Sequence, residues 1–313
     1  MRPFEVGGTG SIGRLRIASA ALLVCLLWGG VGPALKVGVQ DAPPIGFVGV
    51  RMLSAGLLLW AWARHRKASL DASMARATLA WTTLWFTLFS AFAALGFAFT
   101  TATRGTVFLY TQPFIVTVVA RILPPHEPID GWTIAGLIVA FAGVLVIFAD
   151  GLGGGTGLLM GDALVLAAAF FWSLQTVASK RATRGASATA ITVWQTITAG
   201  LVLGVLSVAL ERPHHWNATP ALAISAVYLV GPATVVAWTL WAYVLSQEDA
   251  SVASVFVFTV PVVGVFVSWL VLGEHVGRES LLGAGLVVLG IVFVHWPWRA
   301  GPRAASRLPR RAP

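Results

Sequence analysis

Ten runs of about 20 mostly apolar residues divide this chain of 313, and they constrain its fold more than any other feature. A helix rises about 1.5 Å per residue, so about 20 residues match the ~30 Å hydrocarbon core of a bilayer. Within hydrocarbon every backbone N–H and C=O must find a partner inside the protein, which leaves helices as the spanning element for runs of this length. The runs lie near 17–35, 44–63, 77–97, 104–123, 132–148, 157–179, 188–210, 221–245, 252–272 and 281–296. Chain breakers separate them: Asp41-Ala42-Pro43-Pro44, Pro124-Pro125 and Gly151-Leu152-Gly153-Gly154-Gly155. The first run is too long for a removable signal peptide and lacks a small-residue cleavage site, so it is expected to stay.

Composition agrees. Only 11% of residues are charged and 57% are hydrophobic, with a mean hydropathy of +0.83; soluble domains carry about 25% charged residues. Cys25 is the single cysteine. It offers neither a disulfide framework nor a metal-binding spacing, and no cofactor is expected.

The net charge of +9 invites a nucleic-acid reading, but the placement of the charges argues against such a partner. With both termini inside, the cytoplasmic segments hold Arg2, Arg14, Arg16, Arg64, Arg66, Lys67, Arg76, Arg121, Lys180, Arg181, Arg184, Arg299, Arg303, Arg307, Arg310 and Arg311. The opposite side holds Lys36, Arg104, Arg212 and Arg278; Arg104 and Arg121 sit at the ends of the fourth run, and Arg51 alone falls deep within a run. Basic residues crowd cytoplasmic loops, so this split fixes the orientation. The partners expected are the lipid bilayer of the inner membrane and a small-molecule substrate. The tail, 297–313, is expected to lie near anionic headgroups, and 1–16 to be a cytoplasmic N-terminal segment. Oligomeric state is not legible.

Internal repetition is the next constraint. Trp28 and Lys36 recur as Trp172 and Lys180, and Ala55-Gly56 recurs as Ala199-Gly200, all shifted by 144. Thr111-x-Pro113 recurs as Thr259-x-Pro261, shifted by 148; Glu127, Gly136 and Gly143 recur as Glu274, Gly283 and Gly290, shifted by 147. A five-helix unit is therefore duplicated. Five is odd, so the second copy starts on the opposite face, and the halves are antiparallel. The expected fold is an all-α polytopic membrane protein of ten transmembrane helices in two inverted five-helix repeats. Such repeats can exchange conformations and expose a midplane site to each side in turn.

Residues 98–146 and 244–294 resemble EamA domains of the drug/metabolite transporter superfamily. Leu27-Trp28-Gly29, Val50-Arg51-Met52, Gly161-Asp162 and Leu272-Gly273-Glu274 support the likeness. It covers repeats at 17–150 and 157–296. The resemblance implies ten helices, cytoplasmic termini, export or exchange of amino acids, drugs or other metabolites, and a cavity lined mainly by helices 1, 3, 4, 6, 8 and 9. Pro125-His126-Glu127 stands where the family has Leu-Gly-Glu, a departure from the pattern.

Candidate site residues follow from buried polarity. Arg51 lies about seven residues, some 10 Å, into the second run; a charge there must face the bundle or a wet cavity. It either pairs with a substrate carboxylate or locks helix packing. Its repeat partner is neutral Gln195. Pro113 and Pro261 remove donors mid-helix and free the carbonyls of Leu109 and Val257, as cavity-lining hinges or as packing kinks. Tyr110, Thr111 and Gln112, with Thr259 in the second half, supply polar groups beside those breaks. Trp172, Gln175, Thr176 and Ser179 share one helical face, expected to point inward as a substrate surface or a helix–helix seam. Trp28, Trp172, Trp238 and Trp241 form either an aromatic box or core. Lys36 and Lys180 are expected to snorkel to headgroups, and Asp162 to complement a helix dipole.

An intramembrane enzyme would need a nucleophile or metal set within the bilayer. His65, His126, His214, His215, His275 and His295 all fall in loops or at run ends, so no catalytic residues are expected. A receptor or scaffold is the remaining different class. Reporter fusions at the two ends should both report the cytoplasmic face. Ends on different faces would sink the antiparallel arrangement.

Overall fold

The computed structural model describes residues 11–123, 129–147, 149, 158–211, 215–264 and 278–295. Pro124-Pro125, His126, Glu127, the glycine-rich linker, Arg212, His214, Leu272-Gly273-Glu274, His275 and the basic tail lie outside them. Among the described residues the regular structure is helical, with no strand. The helices are α1 (Ser11–Trp28), α2 (Val31–Asp41), α3 (Pro44–His65), α4 (Arg76–Phe99), α5 (Ala102–Leu109), α6 (Gln112–Ile122), α7 (Gly131–Ile147), α8 (Leu159–Ala182), α9 (Ala188–Leu210), α10 (Pro220–Val230), α11 (Ala237–Gln247), α12 (Ala250–Val255) and α13 (Arg278–His295). Seven helical segments are long and apolar enough to cross a membrane. Three shorter apolar helices, Gly131–Ile147, Ala250–Gly264 and Leu281–Val294, fall where the fifth, ninth and tenth runs were expected.

Helix starts follow ordinary capping chemistry. Pro44 opens α3, where its missing N–H costs nothing. The next two amides, of Ile45 and Gly46, donate to the Glu211 carboxylate at 2.8 and 2.9 Å. That acid, at the end of α9, satisfies orphan donors and complements the positive end of the helix. Thr101, Ser187 and Thr219 accept from the first-turn amides of α5, α9 and α10 through their own side chains.

Four of the expected spans are not continuous helices. The first breaks at Gly29-Gly30, and the fourth breaks after Leu109, just ahead of Pro113. The eighth contains a π-helical segment, Gly231–Val236, at Gly231-Pro232. In the ninth, a tight 3-10 turn, Phe256–Phe258, precedes Pro261. The first and eighth runs were expected unbroken; a Gly-Gly step and a Gly-Pro step respectively explain the difference.

Packing reveals the pseudo-twofold. α3 lies on α9, α7 on α13 and α4 on α8, while α1 packs on α11 and α2 on α10. Glycines set the closest crossings. A Cβ on Gly143 would meet the Gly283 carbonyl oxygen at 2.5 Å, and one on Gly283 would meet that of Gly143 at 2.6 Å. Gly136 and Gly290 are related in the same way, at 2.6 and 2.5 Å. Numbering rises along α7 as it falls along α13, so the two helices are antiparallel. The second crossing behaves alike: a Cβ on Gly200 would meet Leu53, and one on its image Gly56 would meet Ile197, the image of Leu53. Each contact thus has its counterpart through a twofold between equivalent helices. Small residues permit this approach, and close van der Waals packing holds helices together where lipid supplies no hydrophobic drive.

Two lysines depart from expectation. Lys36 donates to the carbonyls of Phe97 and Thr100, both at 2.8 Å, across the end of α4. Lys180 donates to the Glu248 carbonyl at the end of α11. Each cation caps the negative end of a helix in its own half instead of snorkelling away.

Gly143→Ala and Gly283→Ala should each destabilise the purified protein by about 1–3 kcal/mol, because the new methyl meets backbone across the crossing. Gly204, whose Cβ position is open, is the control: Gly204→Ala should be neutral or stabilising by about 0.5–1 kcal/mol. Thermal unfolding in detergent measures both.

Candidate functional site

A cavity of about 70 Å³ lies between the centre of the bundle and the end that carries Asp41. On the water-sized measure of about 10–15 Å³ per molecule it has room for several waters. Its walls come from Val31, Gly32 and Leu35 on α2, from Val48, Arg51 and Met52 on α3, from Phe89 to Phe97 on α4 and from Thr106, Leu109 and Tyr110 on α5. Trp28, Trp172 and Trp238 complete it.

The indoles form the floor. Trp28 sits 5.5 Å from Trp172, 5.2 Å from Trp238 and 5.5 Å from Trp241 between ring centroids. Phe89 stacks on Trp172 at 5.5 Å, and Phe86 meets Trp238 edge-on at 4.8 Å. These offset and edge-on geometries suit the aromatic quadrupole. Trp28 and Trp172 are repeat mates in direct contact, so the pseudo-twofold passes between them and the cavity floor rests on it.

The helix breaks shape this floor and are mended across it. At Gly29-Gly30 the Tyr228 hydroxyl donates to the Leu27 carbonyl at 2.7 Å and accepts from the Gly30 amide at 3.2 Å. Trp28 Nε1 donates to the Ala233 carbonyl in the π-helical segment at 3.2 Å. The Cys25 thiol donates to the Phe256 carbonyl at 3.0 Å, in the 3-10 turn. These four backbone groups are each met by a side chain from the other half, as a membrane interior requires.

Arg51 carries the charge of the site. It is 6% exposed and borders both the central cavity and a groove between α3 and α10. Its Nε donates to Thr234 Oγ1 at 3.0 Å, and that hydroxyl in turn donates to the Leu229 carbonyl at 2.6 Å. Among the described residues no carboxylate pairs with the guanidinium. A cation buried at this depth with one neutral partner is poised for an anion.

Nearer the Asp41 end, Arg104 on α5 forms an ion pair with Asp162 at the start of α8. Arg104 Nε lies 3.1 Å from Asp162 Oδ2, and Thr100 Oγ1 donates to Oδ1 at 2.6 Å. Asp162 therefore ties two helices together as well as sitting in a helical first turn.

Of the residues expected from sequence, Trp28, Arg51, Tyr110, Trp172 and Trp238 line the cavity. Gln112, Gln175, Gln195 and Trp241 do not: the three amides are fully buried away from it, and Trp241 is buried against Trp28. The Thr111 hydroxyl is occupied by the Phe108 carbonyl at 2.7 Å, and the Thr259 hydroxyl is buried without a partner. Pro113 lies at the start of α6, just past the break, and Pro261 follows the 3-10 turn. Relative to the expected lining, the second span enters the wall through α3, and the ninth contributes nothing. Sequence reasoning missed Phe89, Ser90, Phe97 and Thr106 on the wall, and Tyr228 and Thr234 behind it. Gly231-Pro232 signalled the break beside Thr234; nothing local marked the others.

Comparisons accord with this architecture. The EamA-like transporter family pattern matches residues 15–149 and again residues 159–296. The "Uncharacterized transporter YoaV" of Bacillus subtilis is 27% identical over 88% of this chain and 96% of its own length. The "Probable amino-acid metabolite efflux pump" of Escherichia coli is 27% identical over 87% and 92%. The "Uncharacterized inner membrane transporter YedA" of Escherichia coli is 24% identical over 90% of each. A crystal structure superposes with a TM-score of 0.74 at 17% identity, covering 89% of this chain and 96% of the other, and bears on the fold alone. With a doubled pattern spanning nearly the whole sequence, a helical bundle folded about a pseudo-twofold and a multi-pass apolar surface, the chain belongs to the EamA-like transporter family.

Proposed function

We propose that this chain moves small metabolites, amino acids foremost, across the inner membrane by efflux or exchange through alternating access. In this reading the repeats at 17–150 and 157–296 supply ten spans with both termini in the cytoplasm, and Pro113 and Pro261 serve as hinges. No catalytic step is assigned. The observation that carries the substrate class is the buried Arg51 guanidinium. It reaches the cavity with a neutral hydroxyl as its hydrogen-bond partner. A substrate carboxylate would supply the missing counter-charge, and the indole floor would take an apolar portion. A relative named as an amino-acid metabolite efflux pump lends support.

Export of drugs or other solutes is the second reading, and the floor favours it. Three indoles facing one cavity offer cation–π attraction, about 0.5–2 kcal/mol each, to an organic cation.

Proteoliposome counterflow with a panel of amino acids and cationic drugs separates the two. Arg51→Gln should leave insertion intact and raise the half-saturation concentration for carboxylate substrates by roughly ten- to a hundredfold, the scale of a lost charge-assisted hydrogen bond. Cationic cargo should be unaffected. Equal loss for both classes would make Arg51 a packing group anchored on Thr234.

A further inference from the structure

The open cavity occupies one side of the pseudo-twofold, and its image on the other side is full. The offset of 144 carries the three α2 wall positions, Val31, Gly32 and Leu35, onto Gln175, Thr176 and Ser179 of α8. It carries the three α3 positions, Val48, Arg51 and Met52, onto Thr192, Gln195 and Thr196 of α9. Every one of these six images is neutral and hydrogen-bonding, and each is 1% exposed or less. Apolar or charged lining on one side thus becomes polar, uncharged and closed on the other.

The closed side is poorly satisfied. Gln175 Nε2 donates to Gln195 Oε1 at 3.2 Å, and Gln112 Nε2 to Thr176 Oγ1 at 3.2 Å. Those bonds leave Gln175 Oε1, Gln195 Nε2 and Gln112 Oε1 buried without partners, and Trp241 Nε1 is also unpaired. Leaving such a group dry costs about 1–3 kcal/mol. A permanent helix seam has no use for that penalty. A surface that is wet in another conformer does, because water or solute then takes up the dangling groups.

We propose that Gln175, Thr176, Ser179, Thr192, Gln195 and Thr196 line a second vestibule, closed here, which opens toward the Arg66 end when the present cavity shuts. It binds the neutral hydrogen-bonding part of the solute, its amide, hydroxyl or carbonyl groups. Charge is read by Arg51 on the Asp41 side alone. This rests on the alternating-access reading and adds the chemistry of the opposite face.

The test uses the full chain with Cys25→Ala, which removes the single native thiol. Single substitutions Leu35→Cys and Val48→Cys report the open side, and the near-isosteric Ser179→Cys and Thr192→Cys report the closed one. Right-side-out and inverted vesicles are treated with a small charged methanethiosulfonate, with and without a mixture of the proteinogenic amino acids. Leu35→Cys and Val48→Cys should react from one face, Ser179→Cys and Thr192→Cys from the other. Ser179→Cys and Thr192→Cys remaining inert from both faces in protein that supports flux would overturn the vestibule and leave transport standing. Face-specific labelling without flux of any panel solute would keep the vestibule and remove the transport reading. A second arm pairs Gln175→Leu with Gln195→Leu. Replacing both partners with apolar groups should hold or raise thermal stability while flux falls roughly tenfold or more. Stability and flux falling together would mark a structural seam and overturn the proposal.

Discussion

A helix that breaks inside a membrane exposes amides and carbonyls that neither lipid nor a neighbouring turn can satisfy. This chain breaks several of its helices around one cavity, and the identity of the mending groups governs the rest of the structure. Tyr228 from α10 closes the gap between α1 and α2. Trp28 from α1 answers the π-helical segment after α10. Cys25, one turn earlier, answers the 3-10 turn after α12. All three repairs cross from one half to the other, so the two repeats cannot separate without unsatisfying their own backbones. The same irregular stretches bring the indoles together at the centre. The cavity and the cohesion of the halves have one origin.

Glycine contacts perform the complementary task at the periphery. Where α7 meets α13 and α3 meets α9, backbones touch with no side chain between them, and the geometry repeats through the twofold. Such crossings tolerate sliding poorly, since a shift of one residue would drive a Val or Leu side chain into a carbonyl. They therefore act as fixed seams around a centre that holds bulkier, adaptable side chains.

Much of this was legible in the sequence because it depends on local or periodic signals. Apolar run lengths gave the helices, and constant offsets gave the twofold that Gly136, Gly143, Gly283 and Gly290 realise as contacts. Arg51 stood out as a charge out of place at its depth, and Trp28 through its recurrence as Trp172. Illegible features depend on pairing between distant segments. Glu211 caps α3 from 166 residues away, and nothing near it in sequence marks it as a cap. Tyr228 could as well have been an interface tyrosine. Asp162 was read through its own helix, although Arg104 on α5 and Thr100 at the end of α4 determine its setting. Gln175 was read as inward-facing and Gln195 as the repeat partner of Arg51, but only the packing shows that they are fully buried and separate from the open space.

The lysines tie each half together internally. Lys36 grips the end of α4 through the carbonyls of Phe97 and Thr100, and its repeat mate Lys180 grips the end of α11 through Glu248. Both ties are internal to a repeat: each joins the first span of a half to the third span of the same half. Each also places a cation on the negative end of a helix dipole, an interaction of about 0.3–1 kcal/mol at an exposed site and up to ~2 kcal/mol when partly buried. Duplicated ties of this kind stiffen each half against internal rearrangement. The contacts they leave unduplicated lie between halves, and the Arg104–Asp162 ion pair is the clearest of them. Position 18, the image of Asp162 at the offset of 144, is an alanine, so Asp162 itself has no repeat counterpart. Rigid halves, an ion-pair clasp between them and a cavity on one side of the axis belong together. The end of the bundle that carries the clasp is also the end toward which the open cavity lies.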